Sequence, residues 1–270
     1  MLKQTLLAFT VLGFAGSAAA ADITNPFFLP ESLHVSSVTS ASFSERDYKD
    51  KNWFKALRTY TKAATEQLAF GVLNNLAVIG SLAKDWNKEK DREGTFDTWK
   101  YKNDLDWTAG LAWNILHCNT KLQLSSVYGQ ITPNHWSKGT YKFFDTEVKF
   151  GYQFKTVLPY ATFGVHTPVA QTTKGYSADR VFNGKDRWNY NGKIGLYQGK
   201  CGVWALDTAL AVDFNRQSHS RRLTAEAEAS YYLTKNATLG IYGSYLLDAH
   251  VKSDPKVHEK TAGARLRLYF

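Results

Sequence analysis

The chain has 270 residues, 33 Lys plus Arg against 24 Asp plus Glu, and a formal net charge of +9. Its low mean hydropathy excludes a helical membrane protein, since no stretch after the N-terminal leader offers the roughly 20 apolar residues that a helix needs to cross a bilayer. Aromatic residues are abundant and proline is scarce, which leaves exported and strand-rich classes open.

Residues 1–21 predict a secretory signal peptide. Lys3 supplies the positive start, Leu6 to Phe14 the apolar stretch, and Ala18 to Ala21 the small residues for cleavage. Export argues against nucleic acid as the partner of the basic charge. Anionic lipid, lipopolysaccharide phosphates or an anionic solute fit it better.

Residues 22–32 hold Pro26 and Pro30 around Phe27-Phe28-Leu29. Two prolines forbid a helix and favour an extended run. The expectation is a periplasmic lead-in packed at the mouth of the fold, because irregular segments default to the surface. The alternative is a plug entering from below, since ten residues at ~3.3 Å each could cross part of an opening.

From residue 33 to 270 the chain alternates polar and apolar residues in twelve segments: roughly 33–46, 56–72, 76–86, 97–115, 121–131, 140–153, 158–169, 187–198, 203–215, 222–233, 237–248 and 258–270. Period-two alternation predicts strands. Tight turns at Leu73-Asn74-Asn75, Cys118, Phe154-Lys155-Thr156, Cys201 and Thr234-Lys235-Asn236 alternate strictly with longer polar connections at 47–55, 86–97, 132–139, 170–186, 216–221 and 249–257. Short turns on one rim and longer loops on the other predict an all-β, antiparallel, up-and-down transmembrane β-barrel of twelve strands. A soluble β-sandwich would not require that alternation.

Strand faces are clearest in the later segments. Trp204, Leu206, Leu210, Val212 and Phe214 alternate with Asp207 and Asp213; Leu223, Ala225, Ala227, Ala229 and Tyr231 alternate with Glu226 and Glu228. Phe144, Val148, Phe150 and Tyr152 alternate with Asp145, Glu147 and Lys149, and Leu105, Trp107, Leu111 and Trp113 with Asp104, Asp106 and Asn114. Charges are costly against lipid, so the charged face is the lumen. The candidate channel lining is therefore Asp145, Glu147, Lys149, Lys193, Asp207, Asp213, Glu226, Glu228, Arg265 and Arg267. The faces of the first three strands are not assigned by the pattern. The longest loop, 170–186, with Lys174, Arg180, Lys185, Gly175 and Gly184, is the candidate constriction.

Cys118 and Cys201 fall in turns on the same rim, four strands apart. Strands spaced ~4.8 Å put these turns roughly 20 Å apart across the mouth, whereas a disulfide needs Cα atoms within ~7 Å. No bridge is expected, and no metal-ligand spacing is present. Apart from His135 and from His219, which reads as part of a polar loop, the histidines (His34, His117, His166, His250 and His258) are scattered over turns, loops and strand ends.

The chain ends Arg265-Leu266-Arg267-Leu268-Tyr269-Phe270. This alternating, aromatic-ended segment resembles the C-terminal sorting strand of bacterial outer-membrane β-barrel proteins. The resemblance implies Gram-negative outer-membrane localisation and contact with the barrel assembly machinery through the strand ending at Phe270. It also implies lipid and lipopolysaccharide around the wall and a porin-like role in transport. A small passive channel for hydrophilic solutes needs no cofactor. The net basicity points to anions, acidic sugars among them, and the acidic lumen residues weigh against a strong preference.

One catalytic-looking spacing stands apart. Asn134-His135-Trp136-Ser137-Lys138-Gly139 resembles the His-x-Ser-Asn-Gly stretch of outer-membrane phospholipase A and the His-x-Ser-Asn of lipid A 3-O-deacylase. On an extended chain His135 and Ser137 share one face, so the imidazole could take the hydroxyl proton. The resemblance would make His135 the base and Ser137 the nucleophile of an outer-leaflet lipid hydrolase. Lys138 stands where those families have Asn, and the third residue of a triad, about fourteen positions on, meets Lys149. A third reading is a non-conducting barrel with a structural or surface-recognition role.

Overall fold

The computed structural model describes residues 22–49, 58–90, 101–102, 105–131, 140–172, 188–215, 220–250 and 256–270. Every named element is a strand: β1 (Val35–Lys49), β2 (Arg58–Leu73), β3 (Leu76–Lys90), β4 (Tyr101–Lys102), β5 (Asp106–His117), β6 (Thr120–Ile131), β7 (Thr140–Tyr152), β8 (Val157–Thr172), β9 (Asn189–Lys200), β10 (Trp204–Asn215), β11 (Ser220–Thr234), β12 (Ala237–His250) and β13 (Lys256–Tyr269). Each pairs antiparallel with its neighbours, and the β2–β3 and β1–β13 pairings close the sheet on itself. The two-residue β4 pairs with β3 above β5 and in line with it, so the wall has twelve staves. The fold is a closed, up-and-down, twelve-strand barrel.

Most strand ends fall within three residues of expectation, and β3 runs longer than expected at its loop end. The charged run after Asp85, read as loop from residue 86, continues as strand to Lys90. β2 is long enough to offer backbone partners up to Arg58↔Lys90, so the ladder of hydrogen bonds continues. The expected strand over 97–115 appears as β4 and β5. In the Cys201 turn, Gly202 adopts φ +76°, a conformation that side-chain-bearing residues rarely take.

The outer wall is apolar. Ile194, Ile241, Leu210, Phe150, Leu111 and Val212 all stand exposed on it. Rings from adjacent strands meet near the loop end: Phe43 with Tyr60, Tyr128 with both Trp107 and Phe144, and Tyr190 with both Phe163 and Phe214. Tyr152 and Phe154 meet at the turn end. Two aromatic belts bounding an apolar band are the signature of a wall seated in a bilayer. Ile194 is 74% exposed. Ile194→Lys is expected to cost about 2–4 kcal/mol near the membrane midplane, read as a lower urea midpoint for the barrel folded in vesicles.

Buried residues gather inside the barrel near the turn end. Phe27 packs with Leu158, Tyr160, Tyr197 and Ala205, and Ile23 with Tyr232 and Tyr269. A lead-in spread over the outer surface would leave these side chains wet. Residues 22–31 instead fill the lower lumen, which makes the alternative plug placement the observed one.

Candidate functional site in the barrel lumen

The plug is held by inward side chains from five staves. Tyr197 and Tyr232 donate hydroxyl hydrogen bonds to Asp22 Oδ1 at 2.6 and 3.0 Å. Thr24 Oγ1 lies 2.7 Å from the Tyr197 hydroxyl and 3.2 Å from that of Tyr232. The Lys149 ammonium donates to the Pro26 carbonyl at 2.8 Å and sits 5.6 Å from the Phe27 ring centroid. The Phe27 carbonyl accepts from Asn114 at 3.1 Å and Gln123 at 3.3 Å. Pro30 is fully buried. The segment is not the extended run expected: it turns twice, the Asn25 N–H donating to the Asp22 carbonyl and the Phe28 N–H to the Asn25 carbonyl, both at 2.9 Å. Pro26 suits the second turn, since its fixed φ presets the position after Asn25 and it has no N–H to satisfy. The seat is cut for backbone at Gly71, where a Cβ would lie 1.9 Å from the Glu31 carbonyl oxygen and 2.6 Å from that of Pro30.

Above the plug the lining is charged and extensively paired. All ten residues expected to line the lumen fall on the inward side of the register, Lys149 at the level of the plug. Arg265 and Arg267 both donate to Glu228, and Ser230 donates to the same carboxylate at 3.0 Å. Lys193 pairs with Glu226 at 2.5 Å. Lys149 lies 3.6 Å from Glu147, and Tyr160 donates to Asp207 at 2.9 and 3.1 Å. Asp145 meets the His166 Nδ1 at 2.5 Å, and the other ring nitrogen of His166 lies 2.5 Å from the Tyr141 hydroxyl. Asp213 stands opposite Arg222 in the β10–β11 ladder.

Several of these contacts skip a strand, Tyr160 on β8 reaching Asp207 on β10 among them. Arg265 and Arg267 on β13 reach Glu228 on β11 over β12, where Gly240 leaves the gap; a Cβ there would lie 2.6 Å from the Ser230 hydroxyl. Lys193 on β9 reaches Glu226 on β11 over Ala209 and Ala211 of β10. Small residues on the middle strand let long side chains cross it.

Several lining residues escape the sequence pattern. Glu259 takes Arg46 at 2.8 Å and also Arg222. Tyr160, Tyr197, Tyr232 and Tyr269 are buried inside, and Gln123 bridges Asn114 and the plug. Bulky tyrosines at inward positions beside tight turns are the one sequence signal that the lower lumen is filled. His135, Ser137 and residues 173–187 of the longest loop lie outside the described residues, as does the signal segment 1–21. Among the described residues no group of three or more His, Cys, Asp or Glu could hold a metal ion.

Neither Cys118 nor Cys201 is in a disulfide, and both are exposed. Both are expected to react with a maleimide on the folded barrel, and reductant is expected to leave electrophoretic mobility unchanged.

Closed topology, an apolar belted wall and a charged lumen define the class: this is the outer-membrane β-barrel fold. No protein-family model matches the sequence, and no curated protein matches it. Solved structures share the architecture. An outer-membrane channel from Pseudomonas putida F1 superposes with a TM-score of 0.67 at 10% identity, covering 91% of this chain and 98% of that one. The NanC porin gives 0.54 at 10% identity, with 85% and 98% covered. The translocator domain of the autotransporter NalP from Neisseria meningitidis gives 0.53 at 11% identity, with 87% and 88% covered. At such identities the likeness is one of fold.

Proposed function

We propose that the protein is an outer-membrane channel for small hydrophilic solutes whose turn end is closed by its own residues 22–31. The observation that carries this reading is the plug: a segment bonded to the inner wall at seven points yet joined to the barrel at one end only. Ordering ten residues costs about 10–20 kcal/mol. The seven hydrogen bonds contribute about 1 kcal/mol each, and burial of Ile23, Phe27, Phe28 and Pro30 about 2 kcal/mol each. The terms nearly cancel, so the segment can leave the lumen without unfolding the wall.

A polar lining with both signs of charge suits a mixed hydrophilic path. The names of two neighbours, an outer-membrane channel and a porin, support transport at that coarse level. Export by residues 1–21, insertion through the strand ending at Phe270, and lipopolysaccharide around the wall complete the proposal. The preference for anions rests on the basic total alone, because the paired lumen offers slightly more acid than base. One observation favours a non-conducting barrel instead: the lumen charges are largely satisfied by one another.

The test is planar-bilayer recording of the mature protein under a salt gradient. Discrete steps that scale with salt support a channel, and the reversal potential reads its preference. A folded, heat-modifiable but silent barrel, even after removal of the plug, contradicts it. Lipid release abolished by Ser137→Ala would transfer the reading to a hydrolase using His135 and Ser137.

A further inference from the structure

The outer wall breaks its own rule on three staves. Outward positions of β1 carry Ser37, Thr39 and Ala41. They face Leu68, Glu66 and Ala64 of β2, which in turn face Gly80, Leu82 and Lys84 of β3. Glu66 therefore sits on the lipid side, between Leu68 and Phe70 toward the turn and the Phe43–Tyr60 belt toward the loops. Its carboxylate accepts hydrogen bonds from the Ser37 and Thr39 hydroxyls, each at 2.5 Å. Among the described residues it is the one carboxylate facing outward below the aromatic belt. Lys84 stands diagonal to it, opposite Ala64, and makes no hydrogen bond or ion pair among the described residues. Beside them runs a groove of about 750 Å³ lined by Ala41, Phe43, Lys62, Ala64, Trp86 and Ala262.

We infer that this face is an interface with a second copy of the chain in the membrane. A carboxylate in the acyl region is costly and calls for a partner there. Small residues at Ala41, Ala64, Gly80 and Ala262 allow two walls to approach closely, as at other intramembrane contacts. The charges choose the occupant. A lipid phosphate would suit Lys62 and Lys84 and be repelled by Glu66. A second copy related by a twofold axis along the membrane normal brings the same patch at the same height. Glu66 of each copy then meets Lys84 of the other, an isologous and self-complementary contact. No other part of the described wall presents both signs of charge below the belt.

The test is cysteine cross-linking of the full mature chain in lipid vesicles, in a Cys118→Ser, Cys201→Ser background. Ala64→Cys is expected to give mainly dimer, and Ile194→Cys, on the far wall, at least about tenfold less. Glu66→Lys is expected to lose the dimer, and Glu66→Lys with Lys84→Glu to regain it. If Glu66→Lys fails to fold, a zero-length carboxyl–amine cross-linker on a mixture of isotope-labelled and unlabelled wild-type chains replaces it; a mixed Glu66–Lys84 peptide is then expected. Monomer throughout, equal cross-linking at both cysteines, or a Glu66–Lys84 link found only within one chain overturns the inference. So does lipopolysaccharide that co-purifies with a monomer and is lost with Lys84→Ala.

Discussion

Glu228→Ala is expected to destabilise the folded barrel by about 3 kcal/mol, the cost of removing one partner from an enclosed ion pair. Glu228 and Arg267 are each only 13% exposed. The substitution removes the one carboxylate that Arg265 and Arg267 share, and leaves two guanidiniums side by side in the lumen. Urea unfolding in vesicles, followed by tryptophan fluorescence, measures the effect as a shift of the midpoint. Adding Arg267→Ala to Glu228→Ala is expected to cost less than the sum of the single changes, because it removes one of the stranded charges. A Glu228→Ala barrel as stable as wild type would mean that lumen water solvates the arginines and that the pairs hold nothing together.

Gly71→Val is expected to drive the plug from its seat. The valine Cβ would fall 1.9 Å from a backbone oxygen of Glu31, with a second backbone oxygen, of Pro30, 2.6 Å away. Neither neighbour is a side-chain tip that could swing aside. Overpacking of this kind costs about 1–3 kcal/mol when it must be absorbed in place. Since the plug's own balance is close to zero, displacement of residues 22–31 is the easier outcome. Limited proteolysis is expected to cleave the variant before β1 and to spare wild type, while conductance rises several-fold. Protection equal to wild type, with only a small loss of stability, would show that the seat deforms and the plug stays.

The barrel was legible in the sequence because lipid imposes one demand on every strand. Each outward residue must be apolar, and this writes a two-residue period that no loop or helix imitates. Trp204 to Phe214 and Leu223 to Tyr231 display it plainly, and their inward partners Asp207, Asp213, Glu226 and Glu228 follow by exclusion. Their pairing was not legible. Arg265 and Glu228 lie on strands that do not touch, and their meeting depends on register and on the space at Gly240. The plug was hidden for a different reason. Phe27, Phe28 and Leu29 read equally well as a membrane-interface anchor, and only the inward tyrosines Tyr160, Tyr197 and Tyr232 show where they pack. The first three strands resisted assignment because Ser37, Thr39 and Glu66 face outward. The alternation fails on the wall where a second chain is inferred.

The account rests on residues 22–31 closing an otherwise conducting lumen. Its most direct test is paired planar-bilayer recording of the mature chain and of the same chain lacking those ten residues, both verified as folded by heat modifiability. The account predicts small or rare openings for the mature chain, and steady, salt-scaled conductance several-fold larger for the shortened one. Equal conductance in the two, or silence in both, would contradict it.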